Sequence, residues 1–516
     1  MINKQEPRRR GGRGRTRAGG PRKIEQTPFA QPMRHFEPTR IVSDDELESI
    51  HLASLEVLRD VGIDVHEPAA RDIFRRAGAH VQNGQARVRF APEMVIETIK
   101  TAPSEFTMHS WNPARAIDIG GRNVAFTAVA SPPNVSDLAG GRRPGNRKDF
   151  QNLVRLTQHL NAIHMNAGYP VEPADVHASV RHLHATYDLL TLTDKPVNAY
   201  SLGRQRNLDC LEMVRIARQV PDQQLDSEPS VYTIINSNSP LQLDIPMCQG
   251  IIEYSSRNQP IIITPFTLAG AMAPVTIAGA VTQQNAEALA GIVLTQTVRA
   301  GAPVVYGGFT SNVDMKSGSP AFGTPEYMKS ALLGGQLARR YGVPYRSSNV
   351  NAANSVDAQA GYESAFSLWG ALMGGANIVF HGAGWLEGGL KASFEKMVLD
   401  ADLLQMMQVF LTPVPVDDDA LGLEAIADVG PGGHFFGTQH TQDRYTNAFY
   451  SPMISDWRNF ESWQEAGEPT ADQKAATLVG GFLEEYEVPA LAYEARAELD
   501  EFVAKRNEQG GVATDY

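Results

Sequence analysis

From residue 124 onward, short apolar runs alternate with longer segments in which apolar residues recur every three or four positions. The short runs have the length and the β-branched composition of buried strands, and the longer segments have the period of amphipathic helices. The eight predicted strands are 124–127, 163–166, 197–200, 231–235, 261–264, 304–306, 345–348 and 378–380. The predicted helices are 147–160, 179–192, 208–219, 246–256, 285–300, 325–341, 356–373 and 391–409.

This alternation predicts an α/β fold with a parallel sheet, because parallel neighbouring strands need a crossover helix between them. Eight strand–helix units with near-continuous apolar strands favour a closed (β/α)8 TIM barrel. A doubly wound open sheet is the alternative. We therefore assign residues 121–411 to a barrel, in which the reactive side chains should follow the ends of the strands.

The segments on either side are expected to be additions to this barrel. Residues 41–120 combine helices with short strands, and the first helix begins after Ser43, so they form a predicted N-terminal helical cap. Residues 412–516 begin with an acidic linker and end in two predicted helices, 471–485 and 490–506. We expect this C-terminal extension to pack on the barrel flank or over its mouth.

The net charge of −12 hides a strongly basic N-terminus. Residues 1–23 carry nine Lys or Arg against a single acidic residue, Glu6, so the remainder of the chain is strongly acidic. Arginine–glycine repeats without apolar residues bury no surface, and we therefore expect residues 1–40 to form a disordered, solvated tail. The acidic body argues against a nucleic-acid partner, and the tail lacks the apolar stretch of a secretion signal.

Two further features bear on the compartment. No residue between 258 and 286 is charged, but three prolines interrupt this run, which favours buried globular elements over a membrane span. The only cysteines, Cys210 and Cys248, both lie in predicted helices. Two isolated cysteines in a chain of 516 residues predict reduced, buried thiols and a cytoplasmic location.

The side chains that follow the predicted strands are mostly aromatic or neutral and polar. The aromatic ones are Tyr169, Tyr200, Phe266, Tyr306, Phe309 and Trp385. No lysine directly follows a strand to serve as a Schiff-base nucleophile, and carboxylates and histidines are too sparse for a two-metal hydrolase. Aromatic faces with neutral polar groups suit a cation that donates no hydrogen bonds, such as a quaternary ammonium. The alternative is that these rings fill the core or an oligomer interface.

Few charged residues near the strand ends carry a chemical signal. His381 directly follows the eighth predicted strand, where a histidine is either functional or structural. Asp357 and Gln359 open a predicted helix, and an acidic residue at that point also stabilises a helix N-terminus. His434 and His440 have no third ligand nearby, so we predict no metal site.

Four separated motifs resemble those of a known family. YGGFTSNVDMKSGSPAFGTPE (306–326), VDAQAGYES (356–364), GANIVFHGAGWLEGGL (375–390) and GPGGHFFGTQHT (430–441) together are similar to the trimethylamine methyltransferase family. The resemblance implies a TIM barrel that transfers a methyl group from a methylated amine to Co(I) of a cognate corrinoid protein. That partner, which carries the cobalamin, docks over the barrel mouth, so no tightly bound cofactor is expected in this chain.

One departure from the family pattern concerns the substrate. Members that act on trimethylamine carry pyrrolysine in the loop after the seventh strand, near the position of Asn354, and this sequence has none. Family members without pyrrolysine include a glycine betaine methyltransferase, so the resemblance implies a betaine-like quaternary amine. Such an amine already carries its positive charge and leaves as a neutral tertiary amine, and it therefore needs no protonation.

The expected site combines residues from the last three strand ends. We expect Tyr306, Phe309 and Trp385 to form a cage for the cation, and Arg346 or His381 to bind a substrate carboxylate, with a charge-assisted hydrogen bond if His381 is protonated. The remaining assignments are catalytic for His381 and Asn354, and substrate-binding for Asp357, Gln359 and Glu387.

Two other functions stay open at this point, and so does the oligomeric state. The first alternative is a methyltransferase that uses another acceptor, such as tetrahydrofolate. The second is a non-catalytic barrel that binds betaine. Large exposed helical faces also lead us to expect a homo-oligomer.

Overall fold

The structure, a computed structural model, describes residues 24–82 and 84–513. At its centre lies a curled, seven-stranded parallel sheet. Its strands are β1 (Ala125–Ala128), β2 (Val197–Asn198), β3 (Val231–Ile235), β4 (Ile261–Ile263), β5 (Val304–Gly307), β6 (Tyr345–Ser348) and β7 (Ile378–Ala383). They lie in the order β1, β7, β6, β5, β4, β3, β2, so the predicted parallel α/β sheet is confirmed.

The predicted second strand, 163–166, does not form a regular strand. Met165 makes a single parallel bridge to Thr127 in β1. On the other side, the backbone N–H of Asn166 donates to the carbonyl of Pro196 at 2.9 Å, directly before β2. This segment therefore lies between β1 and β2 and contacts both.

Helices connect the strands and follow the last one. They are α1 (Arg147–His159), α2 (Arg181–Leu192), α3 (Arg204–Arg218), α4 (Ile245–Ser256), α5 (Ile277–Val298), α6 (Pro325–Tyr341), α7 (Ala358–Gly374) and α8 (Phe394–Phe410). Their ends follow local rules: the Thr324 side chain caps α6, and Gly342 ends it with a φ of 68°. Helix α5 begins before the predicted residue 285 because the side chain of Thr276 caps it.

The strands of the central sheet bury side chains on both faces. Ile262, Val305 and Phe380 belong to an apolar cluster inside the curl. Tyr306 belongs to the larger cluster between the sheet and the helices. The two faces differ because successive residues of a strand point to opposite sides.

The N-terminal part contains helices and a small sheet. Ser43 and Glu46 form a capping box at the start of its first helix, as the sequence predicts. The helices are Asp44–Glu56, continued by the π-helical turn Val57–Val61, then Pro68–Arg76 and Pro92–Ile99. The strands are Ile63–Val65, His80–Val81 and Arg87–Arg89, joined by Gln242–Leu243, and a separate hairpin of Glu105–Met108 and Ile117–Gly120.

Residues 24–40 are not the disordered tail that composition predicted. The backbone N–H of Thr27 donates to the side chain of Gln405 at 2.7 Å, and that of Arg34 donates to the carbonyl of Arg122 at 2.8 Å. The prediction was wrong for this stretch because its hydrogen bonds go to residues distant in sequence. The rest of the predicted tail, residues 1–23, lies outside the described residues.

Short strands follow the carboxyl ends of β1, β4, β5 and β7 and form two small sheets there. One consists of Leu268–Ala269, Ser311–Val313 and Pro320–Ala321. The other consists of Trp385–Leu386, Lys391–Ser393, Asn134–Asp137 and Gly141–Pro144. These sheets surround the mouth of the curled sheet.

The C-terminal part returns along the outside of the helices. It contains the helices Asp418–Leu421, Leu423–Val429, Gln439–Gln442, Phe460–Glu465, Ala471–Glu484 and Tyr493–Glu508. The helix Ala471–Glu484 packs on α8 and α1, and Tyr493–Glu508 packs on α3 and α2. Residues 412–460, which follow α8, are named the arm below. Its large apolar side chains are mostly exposed, including those of Val414, Phe436, Phe449 and Trp457.

The structure also bears on two predictions, one for the charge-free run 258–286 and one for the two cysteines. The charge-free run 258–286 forms β4, the short strand Leu268–Ala269 and the start of α5, and no described helix is long and apolar enough to cross a membrane. Cys210 and Cys248 are both free and buried, as predicted. Burial raises the pKa of each thiol to about 12, so neither is a reactive thiolate.

Candidate active site

A cavity of about 290 Å³ opens at the carboxyl end of the central sheet. Its aromatic lining comes from Tyr200, Phe266, Phe309, Phe380, His381 and Trp385. Its polar lining comes from Ser131, Ser201, Asn236, Thr264 and Arg346. This is the end of an α/β barrel at which active sites are built. The volume is at the small end for ligand sites, which indicates a small ligand.

Trp385 forms one wall of the cavity and is held by rings on several sides. Its indole stacks on the imidazole of His381, with ring centroids 5.2 Å apart and planes 13° from parallel. Phe309 and Phe322 meet it edge-on, at 6.3 Å and 5.3 Å. A Cβ atom at Gly389 would lie 2.7 Å from the indole, and Gly389 has a φ of 98°, so glycine is required there. These contacts fix the indole plane.

His381 lines the cavity as a neutral imidazole. It is buried, and burial followed by the nearby charge of Arg346 lowers the pKa of His381 well below its usual 6.5. Its Nδ1 atom has no hydrogen-bond partner, and its backbone φ of 53° is in the left-handed region. The imidazole is therefore neutral at neutral pH and offers a substrate carboxylate no charge-assisted contact, because no carboxylate of the described residues compensates the lost hydration of an imidazolium. A neutral ring does not repel a cation.

Arg346 enters the cavity from the second position of β6. Its guanidinium carbon lies 4.9 Å from the centroid of Phe380 and 5.2 Å from that of Phe309. The side chain is only 2% exposed. Its Nη1 atom donates a long hydrogen bond of 3.4 Å to the carbonyl of Gly308, and its Nε atom has no hydrogen-bond partner. Because Arg346 lines the cavity, its side chain points into the curl of the sheet.

Tyr200 and Ser131 form the opposite wall. The Tyr200 hydroxyl accepts a hydrogen bond from the backbone N–H of Tyr169 at 3.1 Å and forms a second hydrogen bond with Ser131 Oγ at 2.9 Å. Burial raises the pKa of Tyr200 above its usual 10. Tyr200 is therefore a neutral, hydrogen-bonded ring and offers no base to the cavity.

Tyr306 does not belong to the aromatic cage. It is fully buried on the helix side of the sheet, where its hydroxyl donates to Oδ1 of Asn285 at 3.1 Å and accepts from Gln284 at 3.4 Å. The expected cage role is wrong because the pleat of β5 points Val305 into the curl and Tyr306 out of it. Phe266, which lies 5.1 Å from Phe309, occupies the cavity instead.

Asp357 and Gln359 lie outside the cavity, at the start of α7. Asp357 is the N-cap of α7 and accepts from the backbone N–H groups of Gln359 and Ala360 at 2.9 Å and 3.3 Å. Gln359 donates to Glu363 at 2.8 Å. Both residues are exposed. The helix-capping explanation of Asp357 is therefore the one that the geometry supports.

Asn354 and Glu387 are connected through a lysine that strand-end reasoning missed. Lys391, 6% exposed, donates to the Asn354 carbonyl at 2.5 Å and to a Glu387 carboxylate oxygen at 2.9 Å. Arg142, from the strand Gly141–Pro144, donates to the other Glu387 oxygen at 2.9 Å. None of these four side chains lines the cavity, and they form its rim. Lys391 escaped prediction because it follows β7 by a loop of several residues.

A buried polar network lies behind the loops after β6 and β7. Lys396 and Asp400 are both fully buried and form an ion pair, and Lys396 also donates to Ser364 Oγ at 2.7 Å. Asp400 accepts from the backbone N–H of Gly384 at 2.9 Å, directly before Trp385. Asn351 donates to Ser364 at 2.9 Å. The network therefore fixes both loops. Its spacing of four residues on one helix was the signal available in the sequence.

Comparison with known proteins assigns the chain to a family. A family model described as "Trimethylamine methyltransferase (MTTB)" matches residues 8–511. The chain belongs to the trimethylamine methyltransferase family. The resemblance that four sequence motifs indicated is confirmed.

Individual relatives extend this result over nearly the whole chain. The chain is 35% identical to a glycine betaine methyltransferase from Desulfitobacterium hafniense (strain Y51), over 91% of this chain and 98% of that relative. It is 30% identical to the trimethylamine methyltransferase MttB of Desulfitobacterium hafniense (strain DSM 10664 / DCB-2), over 91% and 95%. It is 28% identical to MttB of Methanosarcina barkeri, over 90% and 94%. As a member of the trimethylamine methyltransferase family, the protein is a methyltransferase.

Proposed function

We propose that the protein transfers a methyl group from a quaternary amine of the glycine betaine type to Co(I) of a corrinoid held by a separate protein. The observation that carries this proposal is the small cavity lined by aromatic rings and by His381, whose pKa burial and the charge of Arg346 lower well below 6.5. The relatives named for glycine betaine and for trimethylamine support a methylated amine as the substrate.

The aromatic walls suit a methylated cation. Phe309 and Trp385 present rings at right angles to each other, with Phe266 next to Phe309. Quaternary ammonium groups bind over such rings because the ring faces carry negative charge, and each desolvated contact contributes about 2 kcal/mol. The trimethylammonium group has no N–H or O–H of its own, so burying it among these rings costs it no hydrogen bond.

The chemistry needs no acid or base from the chain. The bond between nitrogen and the methyl carbon breaks, and its electron pair stays on nitrogen, which leaves as a neutral tertiary amine. The acceptor, Co(I), supplies the electron pair of the new bond to carbon. The residues of the cavity hold and desolvate the amine and orient one methyl group towards the mouth. A neutral His381 fits this role as a wall of the cage.

The cavity volume supports an acceptor that approaches from outside. About 290 Å³ is enough for a small amine and too little for a corrinoid ring as well. The cobalt must then reach the methyl group across the rim. We propose that Asn354, Asp357, Gln359 and Glu387, which lie at the rim or beyond it, serve the approach of the acceptor protein rather than amine binding.

The proposal is tested by a change in Trp385. In the variant Trp385→Leu an apolar side chain replaces the indole, and we expect glycine betaine to bind about 30-fold more weakly, as the loss of about 2 kcal/mol requires. Affinity is measured by calorimetry and demethylated product by mass spectrometry with Co(I) cobalamin. The control is Trp457→Leu, because Trp457 is 73% exposed and far from the cavity in sequence. Unchanged affinity and turnover in Trp385→Leu contradict the cage.

The same assay separates the rival functions. A methyltransferase with another acceptor forms dimethylglycine with tetrahydrofolate and without Co(I). A non-catalytic betaine-binding protein binds the amine and releases no demethylated product with either acceptor. Product that depends on Co(I) supports the proposal.

For the architecture, we propose that the sheet closes into an eight-stranded (β/α)8 barrel. The support is the segment 163–166, which contacts β1 through Met165 and the start of β2 through Asn166. The domain division is then a cap at 41–120, the barrel at 121–411 and a C-terminal extension at 412–516. Two buried free thiols support a cytoplasmic location.

We also propose that copies of the chain associate through the arm. Phe436 and Phe449 of the arm are 80% and 89% exposed, and Tyr362, Met406 and Phe410 form a second exposed apolar face on α7 and α8, where the arm begins. Exposed apolar surface of this extent is typical of interfaces. A twofold arrangement lets each arm cover the α7–α8 face of the other copy. Light scattering should show a mass above one chain for the wild type, and a smaller one for Phe436→Ser combined with Phe449→Ser. A monomeric wild type overturns this.

A further inference from the structure

Arg346 is a buried positive charge without a counter-charge among the described residues. No carboxylate of the described residues lies within ion-pair distance of its guanidinium, which contacts the Gly308 carbonyl and the faces of Phe309 and Phe380. Burial lowers the pKa of Arg346 to about 10, which still leaves the group charged at neutral pH. An unpaired buried charge is costly, and proteins keep one where a ligand completes the pair.

The surroundings of Arg346 point to a ligand in the cavity as the source of that counter-charge. The ionisable side chains that face it are Tyr232, Tyr327, Tyr345 and His381, and all four are neutral because burial shifts each pKa away from the charged form. Arg346 itself lines the cavity, so an anion that enters through the mouth can reach the guanidinium.

A second unsatisfied group lines the same cavity. Thr264, at the end of β4, has its hydroxyl buried without a hydrogen-bond partner, and Nε of Arg346 is likewise unpaired. A guanidinium with one hydroxyl matches the two oxygen atoms of a carboxylate, because the planar fork of arginine binds planar anions with two parallel hydrogen bonds.

We infer that Arg346 and Thr264 bind the carboxylate of the substrate, so that the site selects zwitterionic quaternary amines over purely cationic ones. This inference rests on the proposed function and names the group that reads the substrate. It assigns specificity to a strand residue inside the sheet and not to the loop near Asn354.

The positions of the two ends of the site also set the orientation of the substrate. Arg346 pairs with Ile378, the first residue of β7, whereas Trp385 lies two residues beyond Ala383, the last residue of that strand. The carboxylate therefore lies on the sheet side of the cavity and the ammonium group on the mouth side. This arrangement presents a methyl group to an acceptor that approaches across the rim.

The test compares two ligands that differ in charge at one end, glycine betaine and choline. Calorimetry with the full chain should show glycine betaine bound at least about 100-fold more tightly than choline, because truncating a buried charge pair typically has an effect of this size. In Arg346→Met the affinity for glycine betaine should fall about 100-fold while that for choline does not fall. Thr264→Val should give a smaller loss for glycine betaine alone. Arg59→Met, on an exposed arginine, is the matched control.

Acetate provides a second readout that does not depend on the cage. It should compete with glycine betaine in the wild type and fail to compete in Arg346→Met, and circular dichroism checks that the variant is folded. Equal affinity for choline and glycine betaine in the wild type, or unchanged discrimination in Arg346→Met, overturns the inference. If discrimination depends on Arg346 but no acceptor yields demethylated product, the proposed function fails and this inference stands.

Discussion

His164 is buried without a charge between the N-terminal segment and β1. The backbone N–H of Phe126 donates to its Nδ1 atom at 3.0 Å, and its Nε2 atom lies 3.0 Å from the carbonyl of Ala30. Because Nδ1 accepts a hydrogen bond, the single proton of the ring is on Nε2. Burial, the largest cause, and then the charge of Lys195 lower the pKa of His164 from 6.5 to about 3. Protonation would break the bond from Phe126.

The direction and size of the resulting pH effect follow from linkage. Between pH 6.5 and about 3 the unfolded chain binds a proton at His164 that the folded chain does not bind. Stability from this residue is therefore present above pH 6.5 and is lost as the pH falls towards 3. Each pH unit in this window corresponds to about 1.4 kcal/mol, so His164 alone should account for a loss of about 2 kcal/mol between about pH 7 and about pH 5.

The assay compares free energies of unfolding in urea for the wild type and His164→Asn at these two pH values. Asparagine retains an acceptor near the position of Nδ1 but does not titrate. The variant should be less stable at neutral pH, by about 1–3 kcal/mol for the imperfectly replaced bonds, and should lose about 2 kcal/mol less on acidification. His177→Asn, on an exposed histidine, is the control. Equal pH dependence in His164→Asn and the wild type would refute the reasoning.

Two further predictions concern the supports of Trp385. Gly389→Ala should displace the indole and weaken glycine betaine binding, measured by calorimetry, at least about tenfold, and intact binding would contradict the close approach. The control is Gly361→Ala, in α7 with open space around its Cβ position, which should leave binding unchanged and stabilise the protein by about 0.5–1 kcal/mol in urea unfolding. Asp400→Leu should cost about 3–5 kcal/mol because it leaves Lys396 buried without its partner, and adding Lys396→Met should recover part of that loss; no recovery in urea unfolding means that the ion pair is not the source of the cost.

The positions of the strands were predictable because their signal is local. The run 261–264 was predicted and β4 occupies Ile261–Ile263, and 345–348 was predicted and β6 occupies Tyr345–Ser348. The exception is 163–166. There the imidazole of His164 takes the hydrogen bond of the Phe126 N–H, a backbone donor that a neighbouring strand would otherwise use. When a side chain takes the place of a backbone hydrogen bond between strands, the hydrophobic periodicity of the sequence does not change, so periodicity cannot predict it.

The site was harder to predict because both faces of a parallel strand are buried. In the run Val304–Gly307 every residue is buried, so alternation between polar and apolar positions cannot tell which side chain enters the curl. Tyr306 was misplaced for this reason. Arg346 and Trp385, which the sequence analysis assigned to the substrate site, both line the cavity, and their roles in binding stay predictions. The neutral state of His381 required the distances to its neighbours.

The segment 163–166, which pairs with the sheet less regularly than the described strands do, also governs how the sheet opens. Met165 is joined to Thr127 by one bridge, and local opening begins where backbone hydrogen bonds are few. Residues 24–30 lie across this point: the Gln26 side chain accepts from the Asn161 N–H at 3.0 Å, and the Ala30 carbonyl lies next to His164. They act as a strap. Amide protons of the strap and of Met165 should therefore exchange with solvent together, and earlier than those of β4 and β5. The stretch that composition predicted to be a disordered tail thus controls how often the sheet opens locally.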